Sequence, residues 1–447
     1  MSISSKPARG MRDFLAEDVL KRQYVIERIV QAYRSFGFQP LETPAFERLD
    51  VLTSKYGAEG DQLMFKILKR ADKLERADVN DIDSLSDLAL HYDLTVPMAR
   101  AYADNRNDLP RYYKRYQIQP VWRADRPQRG RFREFYQCDV DFVGSESLVA
   151  EVEVISAMFS ALERLSFHDV TVRINDRRIL QGLLRGAGVS EDKHGVAMAI
   201  LDRFDKIGLE QVVSQLQSEG GLDEQSAQIL AALFEAQELA PAAYLRQIGA
   251  QLQRDGQPTD AVDALDTLIR MIPAADGIRV VYDPSLVRGL SYYTGTIMEC
   301  STSGFNGSIA GGGRYDGLVS SFLKDNVPAV GGSLGLERLL VMMDERDMFP
   351  DLHNRCDLMV ARMDKDALVE NMTLAARVRA TGRSCTVFPE VRKIAQQLRY
   401  AEQIHAQHVL IQGRRELESN TVVVRSMLTR EQHTVALDAL AEFLDTL

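Results

Sequence analysis

The sequence predicts an α+β protein: an antiparallel sheet flanked by helices, with a helical insertion and a smaller α/β domain at the C-terminal end. Three observations predict it. Two long strand-like segments, QIQPVWRA (117–124) and REFYQCDVDFVG (133–144), flank the short loop DRPQRGRF, as in an antiparallel pair. From 177 to about 272 every periodic segment has helical spacing, and sheet-forming segments lie on both sides of it. From 357 to 447 short apolar runs alternate with helical patterns.

The elements follow in order. Residues 16–37 read as a helix: Val19, Ile26, Ile29, Val30 and Tyr33 recur at helical spacing, and Gly37 is placed to end it. In FQPLETPAFE, Pro40 and Pro44 exclude a helix interior and favour an extended edge strand. The polar stretch 66–87 reads as a surface excursion between strands, and LALHYDLTVPMARAYA as strand, turn, then a helix after Pro97. Along 133–144, alternation puts Phe135, Gln137, Asp139 and Asp141 on one face and Tyr136, Cys138, Val140 and Phe142 on the other. Residues 146–166 form an amphipathic helix through Val152, Ile155, Phe159 and Leu162. Strands resume at IRVVYD (278–283) and SYYTGTIMEC (291–300); GGGRYDG (311–317) reads as a Gly-rich turn, and a helix follows VGGSLG at Leu336. The expected division is 1–170 and 277–345 for the sheet domain, 171–276 for the insertion and 357–447 for the C-terminal domain.

A chain of 447 residues, 45% hydrophobic, can bury more than one core. Its four cysteines form no CxxC pair, which argues against a zinc site or a disulfide framework and for a reducing compartment. The start MSISSKPARGMRD lacks the apolar segment of a signal peptide, and no run of about 18 apolar residues occurs. A cytoplasmic protein is expected. The net charge of −10 argues against a general nucleic-acid binder. Locally, however, 111–133 carries Arg111, Lys114, Arg115, Arg123, Arg126, Arg129, Arg131 and Arg133 against Asp125, interleaved with Tyr112, Tyr113, Tyr116 and Trp122. Arginine's planar fork suits phosphates, so phosphate handling is favoured over a solvated face.

Three segments carry chemistry. In VWRADRPQRGRFREFYQ, Arg123 at a strand end can hold a phosphate oxygen and a carboxylate oxygen together. In LVRGLSYYTGTIMEC, Arg288 precedes Gly289, which permits close approach to a ligand, and strand alternation points one of Tyr292 and Tyr293 to the site and the other to the core. In GGSLGLERLL, glycines on a strand let a flat ring stack on bare backbone, and the next helix presents Arg338. GGSLG also fits G-x-S-x-G with Ser333 as nucleophile, but the oxyanion segment of that hydrolase pattern is missing. No Walker A loop or metal-ligand spacing occurs.

Together these segments resemble class II aminoacyl-tRNA synthetases, and within them the histidyl family. ARGMRDF and PLETPAFE, with Pro44, look like its opening and its dimer-forming first motif; VWRADRPQRGRFREFYQCDVD looks like the second, and GGSLGLERLL the third. RGLSYYTG and GGGRYDG resemble two elements particular to the histidyl branch. The resemblance implies a class II fold, a homodimer, ATP with Mg²⁺, L-histidine and tRNA(His), and an anticodon-binding-like domain at 357–447. It implies that Arg123 and Arg288 hold the α-phosphate, Arg123 also the histidine carboxylate, and Arg131 and Arg338 the outer phosphates. Asp93 and Thr95 would meet the α-amino group with Gln137 nearby, and Asp141 and Tyr293, beside Tyr292, would bind the imidazole. Arg126 and Gln128 would approach the tRNA acceptor end.

Departures occur at Ser291, where the family often has Asp, and at Asp125, where it commonly has Glu on adenine. Glu402, Gln403 and His405 replace the usual Asp-Lys/Arg and Gly run of the C-terminal domain. A paralogue that makes an adenylate without reading tRNA, and the regulatory subunit of ATP phosphoribosyltransferase, share the catalytic pattern. The latter lacks the domain that 357–447 supplies.

Overall fold

The structure, a computed structural model, describes residues 4–53, 55, 57–81, 84–201, 203–224, 226–228, 230, 240–287, 292–352 and 356–447. The chain divides into two compact units, Met1–Asp13 with Arg22–Met348 and Phe14–Lys21 with Phe349–Leu447.

The first unit contains β1 (Gln39–Pro40), β2 (Phe46–Arg48), β3 (Lys66–Leu68), β4 (Ser86–Leu90), β5 (Tyr113–Trp122), β6 (Glu134–Val143), β7 (Val170–Asp176), β8 (Ile278–Tyr282), β9 (Thr296–Thr302), β10 (Ala310–Arg314) and β11 (Ala329–Gly335). One sheet has the order β1-β5-β6-β11-β10-β9-β7-β8, and a small one the order β2-β4-β3. From β5 to β7 every pairing in the large sheet is antiparallel; only the edges, β1 on β5 and β8 on β7, are parallel. The start of the two-proline segment, Gln39–Pro40, thus supplies a short edge strand, while Pro44 lies outside any strand.

One face of this sheet is apolar. Cys138 and Val140 are fully buried beneath the helices Ala16–Ser35 and Val149–Arg164, where Tyr33 Oη donates to the Cys138 carbonyl at 3.0 Å. Met158 of the second helix packs so closely on Gly332 that a side chain there would overlap its sulfur. Burying such Val and Met side chains contributes about 1.5–3 kcal/mol each. The opposite face is polar, because cross-strand partners share a face. Gln137, Asp139 and Asp141 of β6 lie beside Gln119, Gln117 and Arg115 of β5, and beside Gly335, Ser333 and Gly331 of β11. Gly311 and Gly313 of β10 extend the rows.

Three expectations need correction. GGGRYDG is not a turn: Gly311 to Arg314 belong to β10, buried along its whole length between β9 and β11. Glycine carries no side-chain signal for a strand, and here the neighbouring strands impose one. The helical insertion starts at Arg177 rather than 171, because β7 pairs with both β8 and β9. Parallel neighbours require a crossover connection, and the helices between β7 and β8 provide it, with Pro241–Arg254 and Asp260–Met271 lying against β8 and β7. The helix expected after Pro97 begins at Thr95, with the proline inside its first turn, where a missing N–H costs nothing.

Glu337, in the first turn of the helix Leu336–Glu345, is buried and accepts the Tyr136 N–H at 3.0 Å. Burial pushes its carboxyl up to about 7. A raised folded pKa means that the native state keeps a proton which the unfolded chain releases. Its stabilising contribution is therefore complete in acid and is lost as pH rises through about 7. Glu337→Gln keeps an acceptor for Tyr136. It is expected to exceed the parent protein in stability by on the order of 2 kcal/mol at pH 8.5, with the gap closing toward pH 5. Urea midpoints at the two pH values check this; a gap that widens in acid contradicts it.

The second unit contains β12 (Leu358–Ala361), β13 (Cys385–Val387), β14 (His408–Ile411), β15 (Thr421–Ser426) and β16 (Gln432–Ala436), in the sheet order β13-β12-β14-β15-β16. Its first three strands in that order are parallel and the rest antiparallel. Leu358, Val360, Leu374, Val378, Leu410 and Val424 form its core. The sequence reading omitted β16, whose outward residues, Gln432, His433 and Thr434, are exposed and polar.

Candidate active site

The polar face of the large sheet gathers the candidate residues. At its β5 end, Arg123 leaves the strand with Nε on the Tyr92 carbonyl at 3.0 Å and Nη2 on Gln137 Oε1 at 3.3 Å. Its guanidinium lies 4.2 Å over the Tyr92 ring and 5.2 Å over Phe135. Gln137 Nε2 donates onward to Asp139 Oδ1 at 3.2 Å and Ser333 Oγ at 3.3 Å. Arg338 reaches the same end from the first turn of the helix Leu336–Glu345: its Nη1 donates to the Ser308 carbonyl, and its Cδ lies 3.5 Å from where a Cβ on Gly335 would sit. Since Gly335 pairs with Gln137, Arg123 and Arg338 flank one row of one face. Arg288, the third arginine of the expected set, lies outside the described residues, as does Ser291.

The loop between β5 and β6 closes over this end. Gln128 and Arg131 exchange backbone hydrogen bonds at 3.0 and 2.9 Å around Gly130, whose left-handed backbone packs against Phe305 and Arg338. Arg126, Gln128 and Arg131 project into solvent. Asp125 is half-buried, and its carbonyl accepts Arg133 Nε at 3.2 Å. The basic run 111–133 is therefore not one surface. Lys114 pairs with Glu153 at 2.5 Å, Arg129 with Glu345 at 2.9 Å, and Arg115 with Asp141 at 2.8 Å.

At the other end, the wall comes from the segment after β4. Asp93 Oδ1 accepts the Val96 N–H at 3.1 Å, tying the carboxylate to the start of the helix Thr95–Asp104. Tyr292 Oη donates to Asp93 Oδ2 at 3.5 Å and also bonds Thr95. Burial, then the neighbouring Tyr293 and Asp93, raise the Tyr292 phenol well above its usual range. The Tyr293 ring packs on Gly313, where a Cβ would come within 2.9 Å of it. The strand alternation expected to orient the two tyrosines does not govern them. Both precede β9, so strand alternation does not apply, and their rings sit 5.0 Å apart in one cluster.

Asp141 lies between these ends, and Tyr315 donates to its Oδ1. On the far side Arg115, fully buried, brings Nη2 to 2.8 Å from Asp141 Oδ2 and 3.9 Å from Asp139 Oδ2. Burial raises both carboxyls, and Arg115 opposes it; Asp139 is pushed up to about 7. Sequence reasoning missed Arg115, Asp139 and Tyr315 as site residues. A signal existed for the first: Arg115, Gln117 and Gln119 alternate along β5, opposite Asp141, Asp139 and Gln137.

This face offers guanidinium groups for phosphate at one end. At the other it offers a carboxylate among phenols, over the bare backbone of Gly331 and Gly313. Ser333 sits inside regular β11, not on the strand-to-helix turn that a hydrolase nucleophile occupies, so that reading is dropped.

The chain resembles known proteins along its whole length. The family profile described as histidyl-tRNA synthetase matches residues 10–339, and that described as anticodon binding domain matches 357–447. A protein of Cytophaga hutchinsonii named histidine–tRNA ligase is 38% identical over 98% of each chain. One of the same name from Leifsonia xyli is 42% identical over 76% of this chain and 80% of its own. Among solved structures, histidyl-tRNA synthetase from Nostoc sp. PCC 7120 superposes with a TM-score of 0.79 at 28% identity over 100% of both chains.

Proposed function

The chain belongs to the histidyl-tRNA synthetase family, and from that premise we propose that it activates L-histidine with ATP and transfers it to tRNA(His). In the first step the histidine carboxylate attacks the α-phosphorus in line, forming histidyl-adenylate and releasing pyrophosphate. In the second, a ribose hydroxyl at the tRNA 3′ end attacks the adenylate carbonyl and AMP leaves.

One observation carries the reading: Arg123 and Arg338 flank the Gln137 row while Asp141 occupies the same face among Tyr292, Tyr293 and Tyr315. Arg123, with Arg288, holds the α-phosphate as negative charge gathers there, and preorganised donors of this kind act mainly in the transition state. Arg131 and Arg338 take the outer phosphates, and Asp125 lies beside the adenine. Mg²⁺ arrives on ATP as part of the substrate and offsets phosphate charge. Asp93 and Thr95 bind the α-ammonium, and Gln137, bridging Arg123 and Asp139, steadies the carboxylate end. A ring with two nitrogens needs two polar partners, and Asp141 and Tyr293 supply them. Such a site rejects apolar side chains, because its buried polar groups would be left unpaired.

Arg126 and Gln128, exposed on the loop, approach the acceptor end, and the C-terminal unit reads the anticodon. There His405 adopts a left-handed backbone just past the helix Ile394–Gln403, the conformation that glycine commonly supplies at a helix end. The departure from the usual glycine therefore keeps the local chain path. The segment around Pro44 forms the homodimer contact. No helix among the described residues is long and apolar enough to cross a membrane, in keeping with action in the cytoplasm.

The test is ATP–pyrophosphate exchange with each amino acid in turn, then charging of tRNA(His). Exchange with histidine alone, followed by charging, is expected. Exchange without charging would assign the chain to adenylate formation only, and no exchange would remove the catalytic reading.

A further inference from the structure

Arg115 has no place in the roles assigned above, yet among the described residues it is the largest fully buried side chain. A buried guanidinium is costly unless charges meet it. Here two carboxylates do so unequally. Asp141 Oδ2 lies 2.8 Å from Nη2, and Asp139 Oδ2 3.9 Å. The remaining contact is Nη1 donating to Gln117 Oε1 at 3.1 Å, and Gln117 is itself fixed by donating to Thr43 Oγ1 at 2.8 Å. Arg115 Nη2 and Asp141 Oδ2 make no well-directed hydrogen bond among the described residues, so their contact is an ion pair that leaves lone pairs on the carboxylate. Tyr315 holds the other oxygen, which packs directly on the bare backbone of Gly331.

We infer that Arg115 is a positioning residue for amino-acid recognition: from inside the sheet face it fixes the Asp141 carboxylate as an acceptor for the imidazole. The inference rests on the synthetase reading above. Without the guanidinium, Asp141 would share a buried site with Asp139 and no cation. Burial already raises both carboxyls, so Asp141 would take up a proton and turn from acceptor to donor. Because Arg115 acts through Asp141, its loss should fall on histidine and spare ATP, whose arginines hang on the Gln137 row at the far end of the face.

The experiment is steady-state pyrophosphate exchange by the full-length enzyme and its Arg115→Leu and Arg115→Lys variants, with circular dichroism to establish folding. Arg115→Leu is expected to raise the histidine KM about 30- to 100-fold while the ATP KM stays within about twofold, since losing one buried charged partner is worth several kcal/mol. Arg115→Lys keeps the charge but not the reach, and an intermediate rise of about three- to tenfold is expected. A folded variant whose histidine KM stays within twofold overturns the inference, as does a parallel rise in both KM values. Should Arg115→Leu fail to fold, Arg115→Lys decides by the same criteria. Failure of the parent enzyme to exchange with histidine would instead remove the synthetase reading itself.

Discussion

Arg123→Ala is expected to lower histidine-dependent pyrophosphate exchange by about 10³-fold, mostly in kcat. The guanidinium is already oriented: Nε is spent on the Tyr92 carbonyl, and the rings of Tyr92 and Phe135 confine its plane. Nη2 rests on Gln137 Oε1 at 3.3 Å, a long contact that a substrate oxygen can replace. An arm held this way costs little reorganisation when charge develops on the α-phosphate, and that is where preorganised donors contribute most. Arg123→Lys should recover little of the loss and stay at least about 10²-fold down, because a single ammonium cannot hold the Tyr92 carbonyl and two substrate oxygens in one plane. Single-turnover adenylate formation separates the chemical step from binding. A deficit below tenfold for the alanine enzyme, or full recovery by lysine, would remove Arg123 from the centre of the mechanism.

The sheet face was legible where side chains alternate. Gln137, Asp139 and Asp141 stand on one face of β6 because a strand has a period of two, and polar groups at every second position announce it. Arg123 and Arg338 were legible as candidates from their placement at a strand end and a helix start, and both reach the Gln137 row. Two kinds of feature were not legible. Backbone-only segments such as Gly311–Gly313 carry no pattern, so a central strand looks like a turn. Pairing across long sequence gaps is equally silent: Tyr315 meets Asp141 only because β10 and β11 bring them together, and Arg115 meets it because β5 and β6 align at that register. The alternation argument for the tyrosine pair lacked a strand to stand on, for a related reason. Alternation was applied to residues that precede the strand, where the backbone turns and both rings fall into one cluster.

Gly331→Ala should all but abolish histidine use, by at least about 10²-fold in kcat/KM, at a stability cost of about 1–3 kcal/mol. Gly331 pairs with Asp141 across β6 and β11, and an added Cβ would overlap Oδ1 and come within 2.5 Å of Cγ. The carboxylate has nowhere to retreat, with Arg115 on one side and Tyr315 on the other. Backbone adjustment is blocked as well, because the same Cβ would lie 3.0 Å from the Val140 carbonyl in the neighbouring strand. The substitution therefore either displaces Asp141 from its two partners or pries apart the central strands, and either outcome removes the acceptor for the imidazole. Gly195→Ala is the control: apart from its chain neighbours and its own helix backbone, nothing described lies within 4 Å of the added methyl, its position is helical, and alanine there is expected to leave exchange unchanged. Histidine-induced and ATP-induced shifts in melting temperature distinguish the two routes. Loss of the histidine shift with the ATP shift retained indicates displacement of Asp141 alone, and loss of both indicates that the sheet has opened. A Gly331→Ala enzyme that binds histidine normally would show that Asp141 is not the group that reads the ring.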